Sequence, residues 1–187
     1  MVDPVNFTNF NRTDSELEEV LLFTILVAGK NALTTSRCLD NLLLDLDGIS
    51  HPFLCLKKFS IDKLKALLVK FGFGCYNSKS KSIYQVVRSG FNLRTCTVDD
   101  LEEIHGIGKK SSRMYLLHTR PNIEVAALDT HILKYMSDLG FDVPKATPSS
   151  SKQYKQIEHQ FIQLAKKAKM NVCDFDLLIW RKYSGRN

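Results

Sequence analysis

The chain has 187 residues, 44% of them hydrophobic, and its 26 Lys and Arg against 20 Asp and Glu give a formal net charge of +6. This length suits one domain or two small lobes with a buried core, and the charge favours a polyanionic partner without establishing one. The five cysteines are scattered with no CxxC pair, which argues against a disulfide framework. The polar start argues against a signal peptide, and the apolar runs are too short for a membrane span. We therefore expect an intracellular protein of the cytoplasm or nucleoid (or of a host cell if the chain is viral).

Hydrophobic periodicity predicts helices along the chain and no convincing alternating strand, so the predicted fold class is all-α. Residues 15–18, Ser-Glu-Leu-Glu, have the pattern of a capping box that opens a first helix to about Gly29. Lys30 and Asn31 lie in the break that follows. Further helices are predicted over residues 34–46, 53–56, 61–71 and 77–88.

The middle of the chain contains a compact turn between two helices. Residues 97–100, Thr-Val-Asp-Asp, form a second capping-box pattern that starts a short helix towards Ile104. Residues 105–108, His-Gly-Ile-Gly, then turn the chain, and a helix begins at about Lys109. The unpaired N–H groups at the start of this helix, together with Lys109 and Lys110, form a candidate binding site for a phosphate.

The last third carries a second motif and three predicted helices. Residues 128–134 read Leu-Asp-Thr-His-Ile-Leu-Lys, and Asp129 can cap a helix that runs to Leu139. After a Pro- and Ser-containing loop at 144–151, a long helix is predicted to about Met170. A short helix follows over residues 174–182.

The sequence Gly-Ile-Gly-Lys-Lys, followed by Leu-Asp-Thr-His at this separation, resembles the helix-hairpin-helix DNA glycosylases of the endonuclease III superfamily. The resemblance implies that Lys110 is a Schiff-base nucleophile and that Asp129 is the second catalytic residue. It also implies two helical lobes flanking a DNA-binding cleft. One lobe would comprise residues 30–124, with the hairpin at 97–120, and the other residues 1–29 plus 125–187.

A lysine at this position implies a bifunctional enzyme, a DNA N-glycosylase that is also an apurinic/apyrimidinic (AP) lyase. Because only the free amine attacks a sugar carbon, we expect the helix N-terminus and Lys109 to lower the pKa of Lys110. The alternative for Lys110 is a phosphate anchor in a non-catalytic hairpin. Asp129 is expected to cap its helix as well as to act in catalysis, and His131 is expected to be a structural hydrogen-bonding residue.

The resemblance also implies where DNA is held. Backbone N–H groups of the hairpin are expected to bind phosphates, and His105 to meet the DNA backbone. A base inside a duplex must be flipped out before it can react, and Lys30-Asn31 aligns with the family's gap-filling loop, with a plain helix C-terminal turn as the alternative. The expected hairpin contacts are His105, Gly106, Gly108, Lys109 and Ser111.

Two further expectations concern metals. By resemblance, the backbone carbonyls of Glu102, Ile104 and Ile107 would hold a monovalent cation, Na⁺ or K⁺. Endonuclease III itself carries four closely spaced cysteines near its C-terminus, whereas here only Cys173 lies in that region. We therefore expect no iron–sulfur cluster and no other cofactor, and the chain looks more like the compact, cluster-free enzymes that remove 8-oxoguanine.

The C-terminal helix resembles the tail that helps line the base pocket in those compact enzymes. Trp180 would stack on the extruded base and Asp176 would accept a hydrogen bond from a purine N–H, with ordinary core packing as the alternative for Trp180 and Leu177. The predicted substrate is duplex DNA with a damaged base, most closely 8-oxoguanine, bound by a monomer. Two alternatives stay open: the same chemistry on oxidised pyrimidines such as thymine glycol, and a non-catalytic, structure-specific DNA-binding protein.

Overall fold

The computed structural model describes residues 2–184, which form helices joined by turns and loops and contain no β-strand. The predicted all-α fold class is therefore confirmed. The helices are α1 (Asp14–Leu26), α2 (Ala32–Asp45), α3 (Pro52–Lys57), α4 (Ile61–Lys70), α5 (Tyr76–Val86), α6 (Val98–Glu102), α7 (Lys109–Thr119), α8 (Thr130–Asp138), α9 (Ser151–Lys167) and α10 (Val172–Tyr183).

Side-chain caps set most of the helix starts. The predicted capping box at α6 is present, because the Thr97 side chain accepts the Asp100 N–H while the Asp100 carboxylate accepts the Thr97 N–H at 2.7 Å. Ser60 caps α4 as predicted, by accepting the Lys63 N–H. Such caps satisfy backbone donors that have no partner within the helix.

The capping box predicted at residues 15–18 is wrong by two positions. Thr13 is the N-cap of α1, and the Glu16 carboxylate accepts the Thr13 N–H at 2.7 Å. Ser15 and Glu18 have tertiary partners instead: Ser15 donates to the Ser50 carbonyl, and Glu18 accepts the Phe53 N–H. These two long-range contacts of Ser15 and Glu18 are not visible in the local sequence pattern.

The chain divides into two compact units, of which unit 1 comprises residues 2–7 and 11–108. Helix α1 is its central element and contacts α2, α3 and α5, and every side chain from Glu19 to Leu26 is buried. A helix that is apolar on all sides belongs inside a core rather than on a surface. Unit 1 also contains α6 and the turn that precedes α7.

Unit 2 comprises residues 8–10 and 109–184 and contains α7 to α10. Helices α8 and α10 pack together, and α10 also contacts α7 and α9. The fully buried aromatic rings of Tyr154 and Phe161 lie on α9 and fill the centre of this core. The predicted lobes divided the chain at residues 30 and 124 rather than at Gly108, and that division stays a prediction.

Over residues 2–184 no helix combines the length and the apolar composition that crossing a bilayer requires.

Candidate active site

Lys110 is the second residue of α7; the residue as a whole is half-buried, whereas its terminal amine is buried within unit 2. Its Nζ donates to the Met114 Sδ one turn further along the helix, at 3.0 Å. Burial lowers the pKa of Lys110, while the charges of Asp129 and Asp176 act in the opposite direction. The direction agrees with the expectation from sequence, but the cause is desolvation rather than the helix N-terminus or Lys109.

Asp129 is the N-cap of α8, as predicted. Its Oδ1 accepts the N–H groups of His131 and Ile132, both at 2.9 Å, so one carboxylate oxygen carries the whole cap. Burial raises the pKa of Asp129, and the neighbouring Asp176 raises it further. The Ile132 N–H, Lys110 and His131 lower that pKa. His131 has a structural role in this cap, because its backbone N–H donates to the Asp129 carboxylate.

Asp176 on α10 is a third ionisable group, whose charge acts on both Lys110 and Asp129, and it is 7% exposed. Its Oδ2 lies 3.4 Å from the His118 Nε2, and the His118 Nδ1 lies 2.8 Å from the Thr8 Oγ1. Its Oδ1 is buried without a hydrogen-bond partner among the residues that the structure describes. A buried carboxylate oxygen in this condition is costly and is free to accept a donor from a ligand.

Lys110, Asp129 and Asp176 come from three separate elements of unit 2, and each affects the charge state of another. We name them the amine–carboxylate cluster. In a poorly solvated site, charges interact more strongly than they do in water. The cluster therefore combines a nucleophilic amine with carboxylates that can stabilise a developing positive charge or move a proton.

Trp180 lies one helical turn after Asp176, on the same face of α10. It is half-buried, as is Leu177, and neither belongs to the buried core cluster of unit 2 among the described residues. That core includes Phe175 and Ile179 from the same helix. The roles of Trp180 and Asp176 in a base pocket stay predictions.

The turn between α6 and α7 rests on α5. The His105 N–H donates to the Gln85 Oε1 at 2.7 Å, and the His105 Nε2 lies 3.2 Å from the Ser78 Oγ. Gly106 has a φ of +80°, and a Cβ built on it would lie 2.7 Å from the Ser82 Oγ. Backbone geometry and space therefore both require glycine at this position.

Gly108 differs from Gly106 in both respects. Its φ lies outside the left-handed region, and a Cβ there would meet nothing within 4 Å. Within the protein the position tolerates a side chain. A glycine there is useful where the backbone must approach another molecule closely.

The predicted cation site involves backbone carbonyls of the hairpin. The Ile104 carbonyl accepts the Ile107 N–H at 3.0 Å and keeps a second lone pair for an ion. Glu102 is the last residue of α6. Over residues 2–184 no group of three His, Cys, Asp or Glu side chains could hold a metal ion, but a carbonyl site is of another kind, so the cation at Glu102, Ile104 and Ile107 stays a prediction.

Lys30 and Asn31 lie between α1 and α2, as expected. The Asn31 Oδ1 accepts the Thr34 N–H at 3.1 Å and caps α2. The Lys30 side chain lies against Gly74, whose added Cβ would be 2.6 Å from the Lys30 Nζ. These contacts give both residues a role within unit 1, and their gap-filling role stays a prediction.

Two site residues were missed by sequence reasoning. His118 follows Lys110 and Met114 at intervals of four residues, which places all three on one face of α7. That spacing is a signal that sequence alone contains. Thr8 carries no such signal, because only the tertiary fold brings residues 8–10 into unit 2.

A protein-family model described as 8-oxoguanine DNA glycosylase (Ogg-HhH) matches residues 4–170 of the chain. A curated relative, the 8-oxoguanine DNA glycosylase/AP lyase of Picrophilus torridus, is 34% identical over 86 residues. That match covers 46% of this chain and 40% of the relative, so the similarity extends over less than half of the relative's length.

Three solved structures share the fold. The crystal structure of the Methanocaldococcus jannaschii 8-oxoguanine DNA glycosylase is 21% identical, with a TM-score of 0.72 over 94% of this chain and 81% of that one. The glycosylase/lyase of the same organism, in complex with a 15mer DNA containing 8-oxoguanine, is 21% identical with a TM-score of 0.73, over 97% and 87%. The 8-oxoguanine DNA glycosylase of Thermotoga maritima is 22% identical with a TM-score of 0.72, over 93% and 82%.

Proposed function

Because the chain belongs to the 8-oxoguanine DNA glycosylase family, we propose that it excises 8-oxoguanine from duplex DNA and then nicks the strand as an AP lyase. The observation that carries this proposal is the amine–carboxylate cluster, in which burial lowers the pKa of Lys110 beside Asp129 and Asp176. A structure of similar fold contains DNA with 8-oxoguanine, which favours this lesion over an oxidised pyrimidine.

In the first step the damaged nucleotide is flipped out of the duplex towards Lys110. The lone pair of the Lys110 Nζ forms a bond to the sugar C1′ as the glycosidic bond breaks, and the bonding electrons leave with the base, which takes up a proton. Positive charge develops on the sugar, and the Asp129 carboxylate stabilises it. The lowered pKa of Lys110 increases the fraction of free amine near neutral pH.

In the second step the Nζ, which carries two protons after the attack, loses one of them. Its lone pair then forms the double bond to C1′ as the C1′–O4′ bond breaks, and O4′ takes up a proton, which leaves a protonated imine between Lys110 and C1′. The imine makes the C2′ hydrogen acidic. Removal of that proton forms the C2′–C3′ double bond and expels the 3′ phosphate, so the strand is nicked by β-elimination. Water then hydrolyses the imine and restores the lysine.

We assign recognition of the flipped base to Asp176 and Trp180. The Asp176 Oδ1, buried without a hydrogen-bond partner in the described structure, would accept an N–H of the purine. The half-buried Trp180 ring lies one turn away on the same helix face and would stack on the base.

The hairpin would hold the DNA backbone. Phosphates are expected at the start of α7, where backbone N–H groups and the Lys109 side chain favour an anion. His105, Gly106, Gly108 and Ser111 complete the set of contacts. All members of the amine–carboxylate cluster belong to one unit of one chain, so the proposed site needs no second copy of the protein. We therefore propose a monomer that acts on DNA inside the cell, and sedimentation equilibrium tests the monomeric state.

The nucleophile is tested by borohydride trapping on a duplex with a single 8-oxoguanine. We expect wild-type protein to form a covalent adduct and Lys110→Gln to lose it by at least about a hundredfold, because the amide has no nucleophilic lone pair. Lys109→Gln is the matched control, since it removes a neighbouring ammonium and leaves Lys110 in place. We expect Lys109→Gln to keep the trapping rate at saturating protein.

The same assay separates the alternatives. An adduct at wild-type yield with Lys110→Gln would exclude this nucleophile. Duplexes with thymine glycol in place of 8-oxoguanine test the oxidised-pyrimidine substrate, and faster excision of thymine glycol would overturn the lesion assignment. Tight DNA binding by the wild-type protein with no adduct on any lesion or abasic site would mean a non-catalytic binding protein.

A further inference from the structure

Residues 126–128 lead the chain directly into Asp129 and are held by side chains of α9. The Tyr154 hydroxyl donates to the Ala126 carbonyl at 2.8 Å and accepts the Leu128 N–H at 3.1 Å. The Glu158 Oε1 accepts the Ala126 N–H at 3.0 Å. Tyr154 is fully buried, so two side chains one turn apart fix the backbone just before the cap residue.

The same two side chains are tied to α7 through Arg113. Its Nε donates to the Glu158 Oε1 at 2.8 Å, and its guanidinium lies 4.5 Å from the centre of the Tyr154 ring. Arg113 also bonds the backbone of α7 itself, since a terminal nitrogen donates to the Lys109 carbonyl at 3.1 Å. Arg113 is one turn from Lys110, so the contacts connect the helix that carries the amine to the segment that carries the carboxylate.

We infer that Tyr154 and Glu158 are positioning residues, which set the place of Asp129 relative to Lys110 during base excision. This inference rests on the function proposed above. Asp129 must face the sugar at a defined distance, and displacing a catalytic group by about 1 Å can slow a reaction roughly a hundredfold. Burial also raises the pKa of Tyr154, which keeps the hydroxyl proton on the oxygen that donates to Ala126.

The geometry selects Tyr154→Phe as the test. The substitution removes the hydroxyl that bonds Ala126 and Leu128 and keeps the ring over Arg113. Glu158 is a poorer choice, because its loss leaves the buried Arg113 charge without its carboxylate and endangers folding. Tyr183→Phe is the matched control, since the Tyr183 hydroxyl donates to the exposed Asp138 carboxylate at 3.0 Å.

Two single-turnover rates are measured at saturating protein: excision of 8-oxoguanine, and borohydride trapping on a preformed abasic site, which needs no base expulsion. We expect Tyr154→Phe to slow excision by about tenfold, to slow trapping less, and to leave the Kd for an abasic-analogue duplex unchanged. Tyr183→Phe is expected to match the wild type in all three measurements. A general loss of folded protein would lower both rates together, so the difference between the two rates reports positioning.

A second variant keeps the inference testable if Tyr154→Phe does not fold. The Thr147 Oγ1 donates to the Leu128 carbonyl at 2.8 Å from an exposed position, and Thr147→Val removes only that bond. We expect it to slow excision in the same selective manner, by about twofold to fivefold. Excision at the wild-type rate in both folded variants, or equal slowing of both reactions, overturns the inference. Wild-type protein that excises no 8-oxoguanine defeats the proposed function instead.

Discussion

At the scale of single residues, the site depends on what burial does to charge. A lysine in water is almost entirely protonated at neutral pH, and burial lowers the pKa of Lys110 because desolvation disfavours its charged form. Asp129 and Asp176 oppose that effect, and Asp176 also makes ionisation of Asp129 less favourable. Asp129 thus has two effects on the proposed reaction: it stabilises positive charge on the sugar and makes the amine more basic.

We expect Asp129→Asn to separate those two effects. The amide oxygen can still accept the His131 and Ile132 N–H groups, so the cap and the fold should survive. Loss of the negative charge should slow excision of 8-oxoguanine by roughly a hundredfold. Because Asp129 raises the pKa of Lys110, its removal should move the rise of abasic-site trapping with pH to a lower pH.

The measurement is the trapping rate on a preformed abasic site as a function of pH, for the wild type and for Asp129→Asn. Asp138→Asn is a suitable control, since that exposed carboxylate pairs with Lys134 and belongs to no part of the cluster. A profile that moves to higher pH in Asp129→Asn would contradict the electrostatic relation between Asp129 and Lys110.

At the scale of elements, the hairpin shows why two similar glycines are not equivalent. Gly106 has a left-handed backbone next to Ser82 on α5, whereas Gly108 has an ordinary backbone and open space around it. The first glycine therefore serves the fold of unit 1. The second leaves room for whatever the backbone approaches, and by our proposal that is a DNA phosphate.

We expect Gly106→Ala to lower the free energy of unfolding by roughly 1–2 kcal/mol, the cost of a side chain in the left-handed region. We expect Gly108→Ala to change it by less than about 0.5 kcal/mol and to weaken DNA binding, because a methyl group would keep the backbone from the phosphate. Thermal or urea unfolding gives the first quantity and a duplex-binding titration the second. Normal DNA affinity in a folded Gly108→Ala variant would remove Gly108 from the proposed contact surface.

At the scale of the whole molecule, the net charge of +6 bears on how the protein meets DNA. Positive charge alone gives salt-dependent association with any duplex, because each neutralised phosphate releases condensed counterions. It supplies neither lesion recognition nor chemistry, which we assign to residues of unit 2. The net charge therefore affects the salt dependence of DNA binding, whereas the site residues affect lesion specificity and reaction rate.

We expect the logarithm of the DNA-binding constant to fall linearly with the logarithm of salt concentration. Lys109→Gln should reduce the magnitude of that slope by about 1, because one phosphate contact is lost. Lys65→Gln makes the same charge change at an exposed position on α4, and we expect it to leave the slope unchanged. Equal slope changes in the two variants would mean that Lys109 contributes only general charge.

Local features of this protein could be predicted from sequence because their causes are local. The all-α class follows from hydrophobic periodicity, and the starts of α4, α6 and α8 follow from capping by Ser60, Thr97 and Asp129. The spacing between the hairpin and Asp129 also pointed to the family that the family model shows. The cap of α1 was predicted at Ser15 rather than Thr13, and Ser15 and Glu18 instead bond residues 35 positions away.

Only the tertiary structure decided how charged the site residues are and what holds them. Burial of Lys110, the approach of Asp176 to it, and the His118 and Thr8 contacts all require residues from distant parts of the chain to pack together. The same is true of the Tyr154 and Glu158 bonds to residues 126–128. Periodicity and capping reach only a few residues along the chain, whereas desolvation and long-range hydrogen bonds exist only once the core has formed.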